Sequence, residues 1–154
     1  MAYNNYSENT TSLVIAKIDS KEEDLEKLLA EREERNKKAV EKITLGAMTF
    51  ATGKASLTVE AKESVKRQIK KLNSINYSKI IVEGHTDITG NAKFNDKLSQ
   101  LRAESVCKEL ISSGISADKL EYTGYGSKIP AADNETPSGR QANRRTEVWV
   151  FEEK

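Results

Sequence analysis

The sequence predicts an α+β fold: a two-layer sandwich of order β-α-β-α-β-β, with helices packed on one face of a mixed sheet. The first observation is that strand and helix patterns alternate from about residue 43 to the end of the chain. The second is the stretch "LTVEAKESVKRQIKKLNS", whose apolar residues recur at helical spacing on one face. The third is "KIIVEG", a short apolar run typical of a buried strand. Residues 43–154 are therefore expected to form one domain.

The chain before this domain divides into two parts. Residues 1–19 are mostly polar, with a composition typical of a flexible segment. Residues 20–42 are predicted to form a helical spacer, since Ser20 and Glu23 have the spacing of a capping box and acidic residues crowd the first turn.

The spacer helix has an interrupted apolar seam. Arg32 and Asn36 occupy two of its heptad-like positions, so a stable coiled coil is not favoured. A solvated helix, or one packed on the domain through Leu25, Leu28 and Leu29, fits the pattern better. A homodimer through this helix stays an open alternative.

Each element of the domain has its own signal. "ITLGAMTF" predicts a strand that ends at Phe50, and Thr58 is placed to cap the amphipathic helix that follows. After the strand "KIIVEG", a second helix is expected over about 95–113, with Gly114 ending it. "KLEYTG" and "TEVWVF" predict the last two strands, and a long polar loop that holds both prolines separates them.

Composition excludes several kinds of site. The 25 basic and 24 acidic residues give a net charge of +1, so no global field recruits nucleic acid. The single cysteine, Cys107, excludes an intramolecular disulfide and is expected to be buried filler. The single histidine, His85, could begin a metal site with Asp87, but a second histidine and clustered carboxylates are lacking in the sequence pattern. No cofactor and no metal ion are expected.

Asp87 and Arg102 are opposite charges placed on different elements. Asp87 directly follows a strand, between Gly84 and Gly90, where ligands of α/β layers bind. Arg102 shares a helix face with Asn95, and that helix begins near the end of the same strand. Arginine takes a carboxylate in a two-pronged contact and aspartate takes an ammonium, so the pair suits a zwitterion. The alternative is that the two residues simply pair with each other.

The wider motif resembles a known family. "GHTDITGNAKFNDKLSQLRA" is followed by "GYG" at 124–126, Pro130, Asn134, "GR" at 139–140 and "NRR" at 143–145. These blocks, spread over about 43–152, resemble the OmpA-like C-terminal peptidoglycan-binding domain of outer membrane protein A, peptidoglycan-associated lipoproteins and flagellar stator proteins.

The resemblance implies a ligand and a set of contacts. In that family the residues at the positions of Asp87 and Arg102 grip the diaminopimelate residue of the peptidoglycan stem peptide. Hydrogen-bonding support is implied for Asn95, Thr86 and Thr89. Either Arg144 or Arg145 is implied to be an outer contact or a brace. From the residues alone, "GRQANRR" could also hold a phosphate, although a brace for the long loop fits better.

The resemblance also implies a place in the cell. It predicts a non-enzymatic cell-wall anchor in the periplasm, associated with the outer membrane and wall, with peptidoglycan as partner. The start of the chain lacks a signal peptide, and no stretch approaches the ~20 apolar residues of a membrane span. We therefore expect a soluble fragment whose membrane anchor lies upstream. The alternatives are the wall anchor of a flagellar-stator-type motor and, less favoured, a wall-modifying enzyme.

Overall fold

A four-stranded mixed sheet carries the fold in the computed structural model, which describes residues 22–152, with Glu22 and Glu23 described by backbone alone. The polar segment 1–19 and the capping residue Ser20 lie outside the described residues. The elements are, in chain order, α1 (Glu22–Asn36), β1 (Glu41–Leu45), α2 (Val59–Leu72), β2 (Tyr77–His85), α3 (Ala92–Ser112), β3 (Leu120–Gly124), α4 (Pro137–Asn143) and β4 (Arg145–Glu152).

The strands lie in the order β1-β4-β2-β3. β4 is antiparallel to both β1 and β2, while β2 and β3 are parallel. One sheet face and the inner sides of α2 and α3 form the main core, whose centre includes the fully buried side chains of Leu72, Ile80, Val82, Val106 and Val150. The predicted α+β class is confirmed.

The two long helices of the domain follow their sequence signals. The Thr58 side chain accepts a hydrogen bond from the Ala61 N–H at 3.1 Å, as expected of an N-cap. The apolar stripe of α2 is buried along its whole length. α3 begins three residues earlier than predicted, capped by Asn91, and Gly114 adopts the left-handed conformation just past its end.

Two local predictions were wrong. β1 ends at Leu45 rather than Phe50, because the chain turns through a 3₁₀ turn at Ala47–Thr49, and Phe50 reaches the core from an isolated bridge with Leu57. The long polar loop contains the short helix α4, with Thr136 as its N-cap and proline in its first turn. A helix of this length is too short to show a clear helical period.

Helix α3 approaches the sheet closely at one end. Gly84 of β2 and Gly124 of β3 are partners in the parallel register. A Cβ atom on Gly84 would overlap the Ser99 carbonyl, and one on Gly124 would overlap the backbone nitrogen of Gln100. The two glycines therefore let α3 lie directly on the strand ends, which sets where its polar face emerges.

Helix α1 covers the other face of the sheet. Glu83 and Glu147 alternate along their strands with core residues, so their side chains point away from α2 and α3. Arg32 donates two-pronged to Glu83 at 2.7–3.0 Å, and Leu28 packs on Tyr125. The helix ends at Asn36 and β1 starts at Glu41, so residues 37–40 form a short connection.

Glu83 and Glu147 belong to a buried charge network, here called the outer-face network, which also contains Arg32, Arg35 and Arg145. The Glu83 side chain is fully buried and faces both arginines of α1. The Arg145 Nε donates to the Glu147 Oε2 at 2.6 Å. Buried carboxylates need such partners, because an unpaired charge away from water is strongly unfavourable.

Among residues 22–152, no helix combines the length and the apolar character that crossing a membrane requires.

Candidate ligand-binding cleft

A cleft of about 420 Å³ opens where β2 ends, between α3, α4 and the loop after β1. Its polar and charged lining consists of Thr52, Thr86, Asp87, Thr89, Asn95, Arg102, Arg140 and Arg144. Its apolar lining includes Phe50, Phe94 and Leu98. The cleft brings together six of the seven residues that the sequence proposed as ligand-binding.

Asp87 is the anion of the cleft. It follows β2 by two residues, and its Oδ1 accepts the N–H of Thr89 at 2.8 Å. Its Oδ2 accepts a hydrogen bond from Arg144 Nη1 at 2.5 Å. Burial alone would raise the pKa of Asp87, but the hydrogen bonds from Thr89 and Arg144 lower it below its ordinary value. The side chain is therefore a carboxylate at neutral pH, and it keeps lone pairs for a further donor.

Arg102 reaches the cleft from the middle of α3. Its Nε donates to the Lys54 carbonyl at 2.9 Å, and its guanidinium lies 5.0 Å from the centre of the Phe50 ring. Burial and the nearby charge of Arg144 lower the pKa of Arg102, while Asp87 acts in the opposite sense. The loop after β1 thus fixes the position of Arg102 without neutralising its charge.

Asp87 and Arg102 are both described residues that line the cleft, but they do not form an ion pair with each other. Asp87 is paired with Arg144, and Arg102 bonds to backbone carbonyls of the loop after β1. The alternative of a mutual Asp87–Arg102 pair therefore does not hold in this structure. That these side chains bind a ligand stays a prediction.

The three smaller polar residues hold the loop around Asp87. The Asn95 amide donates to the Thr89 carbonyl at 2.9 Å, and the Thr86 hydroxyl donates to the Asp87 carbonyl at 2.9 Å. Thr89 contributes the backbone N–H that fixes the carboxylate. In this structure all three orient Asp87, and any direct contact with a ligand stays a prediction.

Arg144 and Arg145 have different positions, which the sequence left open. Arg144 lies in the cleft and pairs with Asp87. Arg145 is buried and does not line the cleft, since its guanidinium donates to Glu147 and to the Ile129 carbonyl. These hydrogen bonds brace the strand start against the loop before α4, and whether Arg145 also contacts a ligand stays a prediction.

Two aromatic residues and one arginine of the cleft were missed as site residues by the sequence analysis. Phe50 was assigned to a strand, and Phe94 is a largely exposed aromatic at the start of α3. Arg140 was interpreted as a loop brace, and its Nη1 does donate to the Asn134 carbonyl at 2.8 Å. It also lines the cleft, one helical turn before Arg144. The "GR" block was the available signal for Arg140.

The expectation that no carboxylates cluster around His85 was wrong. Carboxylates do cluster there: atoms of Glu83, His85 and Glu147 lie within 4.8 Å of one another. The oxygens of the two carboxylates already accept hydrogen bonds from Arg32, Arg35, Arg145 and Trp149. A cation would have to displace guanidinium groups, so the arginines already supply the positive charge that these carboxylates need.

Known proteins are similar to the part of the chain that contains the cleft. The sequence profile of the OmpA family matches residues 49–144. Peptidoglycan-binding protein ArfA of Mycobacterium bovis is 36% identical over 112 residues, which cover 73% of this chain and 34% of ArfA. This chain therefore spans about a third of the length of that relative.

Solved structures show the same architecture. The cell wall anchor of the T6SS from Pseudomonas aeruginosa is similar with a TM-score of 0.66 and 29% identity, over 81% of this chain and 94% of that one. The periplasmic domain of Helicobacter pylori MotB is similar with a TM-score of 0.65 and 26% identity, over 73% of this chain and 74% of that one.

Proposed function

Since the chain belongs to the OmpA family, we propose that its cleft binds the stem peptide of peptidoglycan without covalent chemistry and so anchors an envelope component to the cell wall. The ligand group is the diaminopimelate residue, whose side chain ends in an ammonium and a carboxylate. Asp87 takes the ammonium and Arg102 takes the carboxylate. The similarity to the peptidoglycan-binding protein ArfA and to the cell wall anchor of the T6SS supports this class of ligand.

The observation that carries the proposal is the separation of Asp87 and Arg102 within one cleft. Each of the two side chains is bonded to groups other than its counterpart, so the two charges do not neutralise each other. A zwitterion that spans the cleft offers each of them a partner of the opposite sign. The apolar lining from Phe50 and Leu98 suits the methylene chain between the two charges.

The expected affinity for a single stem peptide is modest. Charge-assisted hydrogen bonds contribute about 1.5–3 kcal/mol each, and lost freedom on association offsets much of that gain. Firm attachment to a polymeric wall would come from many copies tethered near it. We accordingly propose a periplasmic location, with the membrane attachment supplied from outside the described residues.

The proposal is tested by sedimentation with purified sacculi that contain diaminopimelate. The wild-type chain is compared with Asp87→Asn and Arg102→Gln, and with Arg67→Gln as a control, because Arg67 is exposed on α2 and is not part of the cleft lining. We expect the wild type and the control to sediment, and each cleft variant to bind about tenfold more weakly or worse. Circular dichroism establishes that the variants are folded.

Equal sedimentation of all four folded proteins would overturn the role of the two charges. Chromatography of the supernatant adds a second readout. A non-enzymatic anchor releases no soluble muropeptides, whereas their appearance with time would favour the wall-modifying enzyme.

A flagellar-stator-type anchor is the second candidate, and the structural similarity to the periplasmic domain of MotB supports it. The same cleft would then fix an ion-driven motor to the wall. The two functions differ in what precedes the domain in the complete gene product. A membrane-spanning helix with an acidic residue in its apolar stretch would favour the motor protein.

A further inference from the structure

The cleft contains more positive than negative charge. Arg102, Arg140 and Arg144 line it, and Asp87 is the acidic residue among its described lining. Because Asp87 is paired with Arg144, two arginines face the cleft with no carboxylate partner among the described residues. A zwitterionic ligand has no net charge, so its binding would leave the excess positive charge of the cleft in place.

Arg140 and Arg144 line the cleft from α4 and its end. They are four residues apart across the end of α4, where the Arg144 N–H donates to the Arg140 carbonyl. Side chains at this spacing lie on the same side of a helix. Arg140 donates one N–H to the Asn134 carbonyl, and Arg144 donates one to Asp87. A guanidinium has five N–H groups, so both residues keep donors for an anion.

The loop around Asn134 fixes this pair of arginines beside Asp87. The Asn134 side chain accepts the Ile88 N–H at 3.3 Å and the Asn143 amide at 2.8 Å. Its carbonyl holds Arg140. The second positive group is thus tied to the loop that carries the anion of the cleft, and its position does not depend on a ligand.

We propose that the cleft recognises two carboxylates beside one ammonium, and that Arg140 together with Arg144 holds the second carboxylate. This inference rests on the proposed function and names the ligand more closely. In a stem peptide the glutamate that precedes diaminopimelate is joined through its side-chain carboxyl, so its α-carboxylate stays free. The cleft therefore favours stem peptides in which this carboxylate is ionised over those in which it is amidated.

The test uses two soluble probes on the full chain. Both are L-alanyl-γ-D-glutamyl-diaminopimelyl-D-alanine, one with a free glutamate α-carboxylate and one with the amide in its place. Isothermal titration calorimetry is run with wild type, Arg140→Gln and the control Arg67→Gln. We expect wild type and control to bind the free acid about tenfold more tightly than the amide, the scale of one charge-assisted contact. Arg140→Gln should lose most of this preference, keeping only the part that Arg144 contributes.

The outcomes separate this inference from the proposed function. If wild type binds both probes equally, the second carboxylate site is wrong while stem-peptide binding stands. If wild type binds neither probe, the proposed function itself fails. If Arg140→Gln keeps the tenfold preference, Arg140 does not hold the carboxylate. Should Arg140→Gln not fold, Arg140→Lys replaces it, and a reduced preference is expected because an ammonium cannot make the two-pronged contact.

Discussion

At the scale of single residues, β2 carries two buried ionisable groups just before the cleft. Burial by itself would raise the pKa of Glu83, but the neighbouring His85 and the charges of Arg32 and Arg35 lower it to about 2. His85 is stacked on Tyr125 with its ring centre 5.6 Å away, and neither of its ring nitrogens has a hydrogen-bond partner in the described structure. Burial and the charge of Arg145 lower the pKa of His85, against the opposing effect of Glu83.

These shifts predict how stability depends on pH. The folded pKa of His85 lies below its unfolded value of 6.5. The unfolded chain therefore binds the proton first, and the free energy of unfolding falls as the pH drops below 6.5. The Glu83 pKa is lowered from 4.5 to about 2, so its stabilisation is present above pH 4.5 and is lost between those values. The two groups act in separate pH ranges.

His85 is the only histidine in the sequence, which makes its range testable. Urea unfolding of wild type should show a decrease in stability from pH 7 to 5, and His85→Gln should show a much flatter profile there. Both proteins should lose stability below pH 4.5 as carboxylates are protonated. An unchanged slope between pH 7 and 5 in His85→Gln would contradict the assignment.

At the scale of elements, the contact of α3 with the strand ends decides the geometry of the cleft. The paired glycines of β2 and β3 bring the helix backbone onto the sheet. Asn95 and Arg102 project from that same helix, so their distance from Asp87 depends on this contact. A side chain at either glycine would push the helix, and with it half of the cleft, away from the aspartate.

Gly84→Ala is therefore expected to lower the free energy of unfolding by about 1–3 kcal/mol, the usual effect of overpacking, and to weaken binding to sacculi. Gly46→Ala is a matched control, since a Cβ there meets no atom within 4 Å and the backbone φ is −81°. The free energy of unfolding of the control should stay within about 0.5 kcal/mol of the wild-type value, and the control should bind sacculi as the wild type does. Urea unfolding measures the effect on stability, and sedimentation measures the effect on binding. Equal behaviour of the two variants would show that α3 moves to accommodate the added methyl group without loss of stability or binding.

At the scale of the whole molecule, the N-terminal helix and the domain share the outer-face network. Glu83 and Glu147 are buried on the sheet, while Arg32 and Arg35 come from α1. The guanidinium of Arg32 also lies 5.5 Å from the centre of the Tyr125 ring. The spacer helix is thus packed against the domain in this structure, through ion pairs as well as through Leu28.

Removing α1 should destabilise the domain. A chain that starts at Lys37 leaves Glu83 without both of its arginines, and breaking a buried pair costs about 3–5 kcal/mol. A chain that starts at Glu22 is the control, because it keeps α1 and should unfold at the same urea concentration as the full chain.

Adding Glu83→Gln to the shorter chain should restore much of the lost stability, since it removes the unpaired charge. If the chain from Lys37 is as stable as the full chain, α1 does not hold to the sheet in solution. The helix would then be a free spacer, as the charged sequence also allows.

The sequence predicted most of what depends on local chemistry. The cap at Thr58, the apolar stripe of α2 and the α+β class all follow from residues within a few positions of one another. The sequence motif also put Asp87 and Arg102 at one cleft, because a strand end and the following helix must return to the same edge of the sheet. Short-range periodicity and turn residues carry this information, and the family motif adds to it.

The tertiary structure decided the partners of the charged groups. Asp87 pairs with Arg144, and Glu83 is buried against Arg32. In both pairs the partner lies more than forty positions away in the chain. Arg32 looked like a break in an apolar seam, yet it is the counter-charge of a buried glutamate. An ion pair forms between groups that the fold brings together, and a pattern along the chain does not encode which distant group that will be.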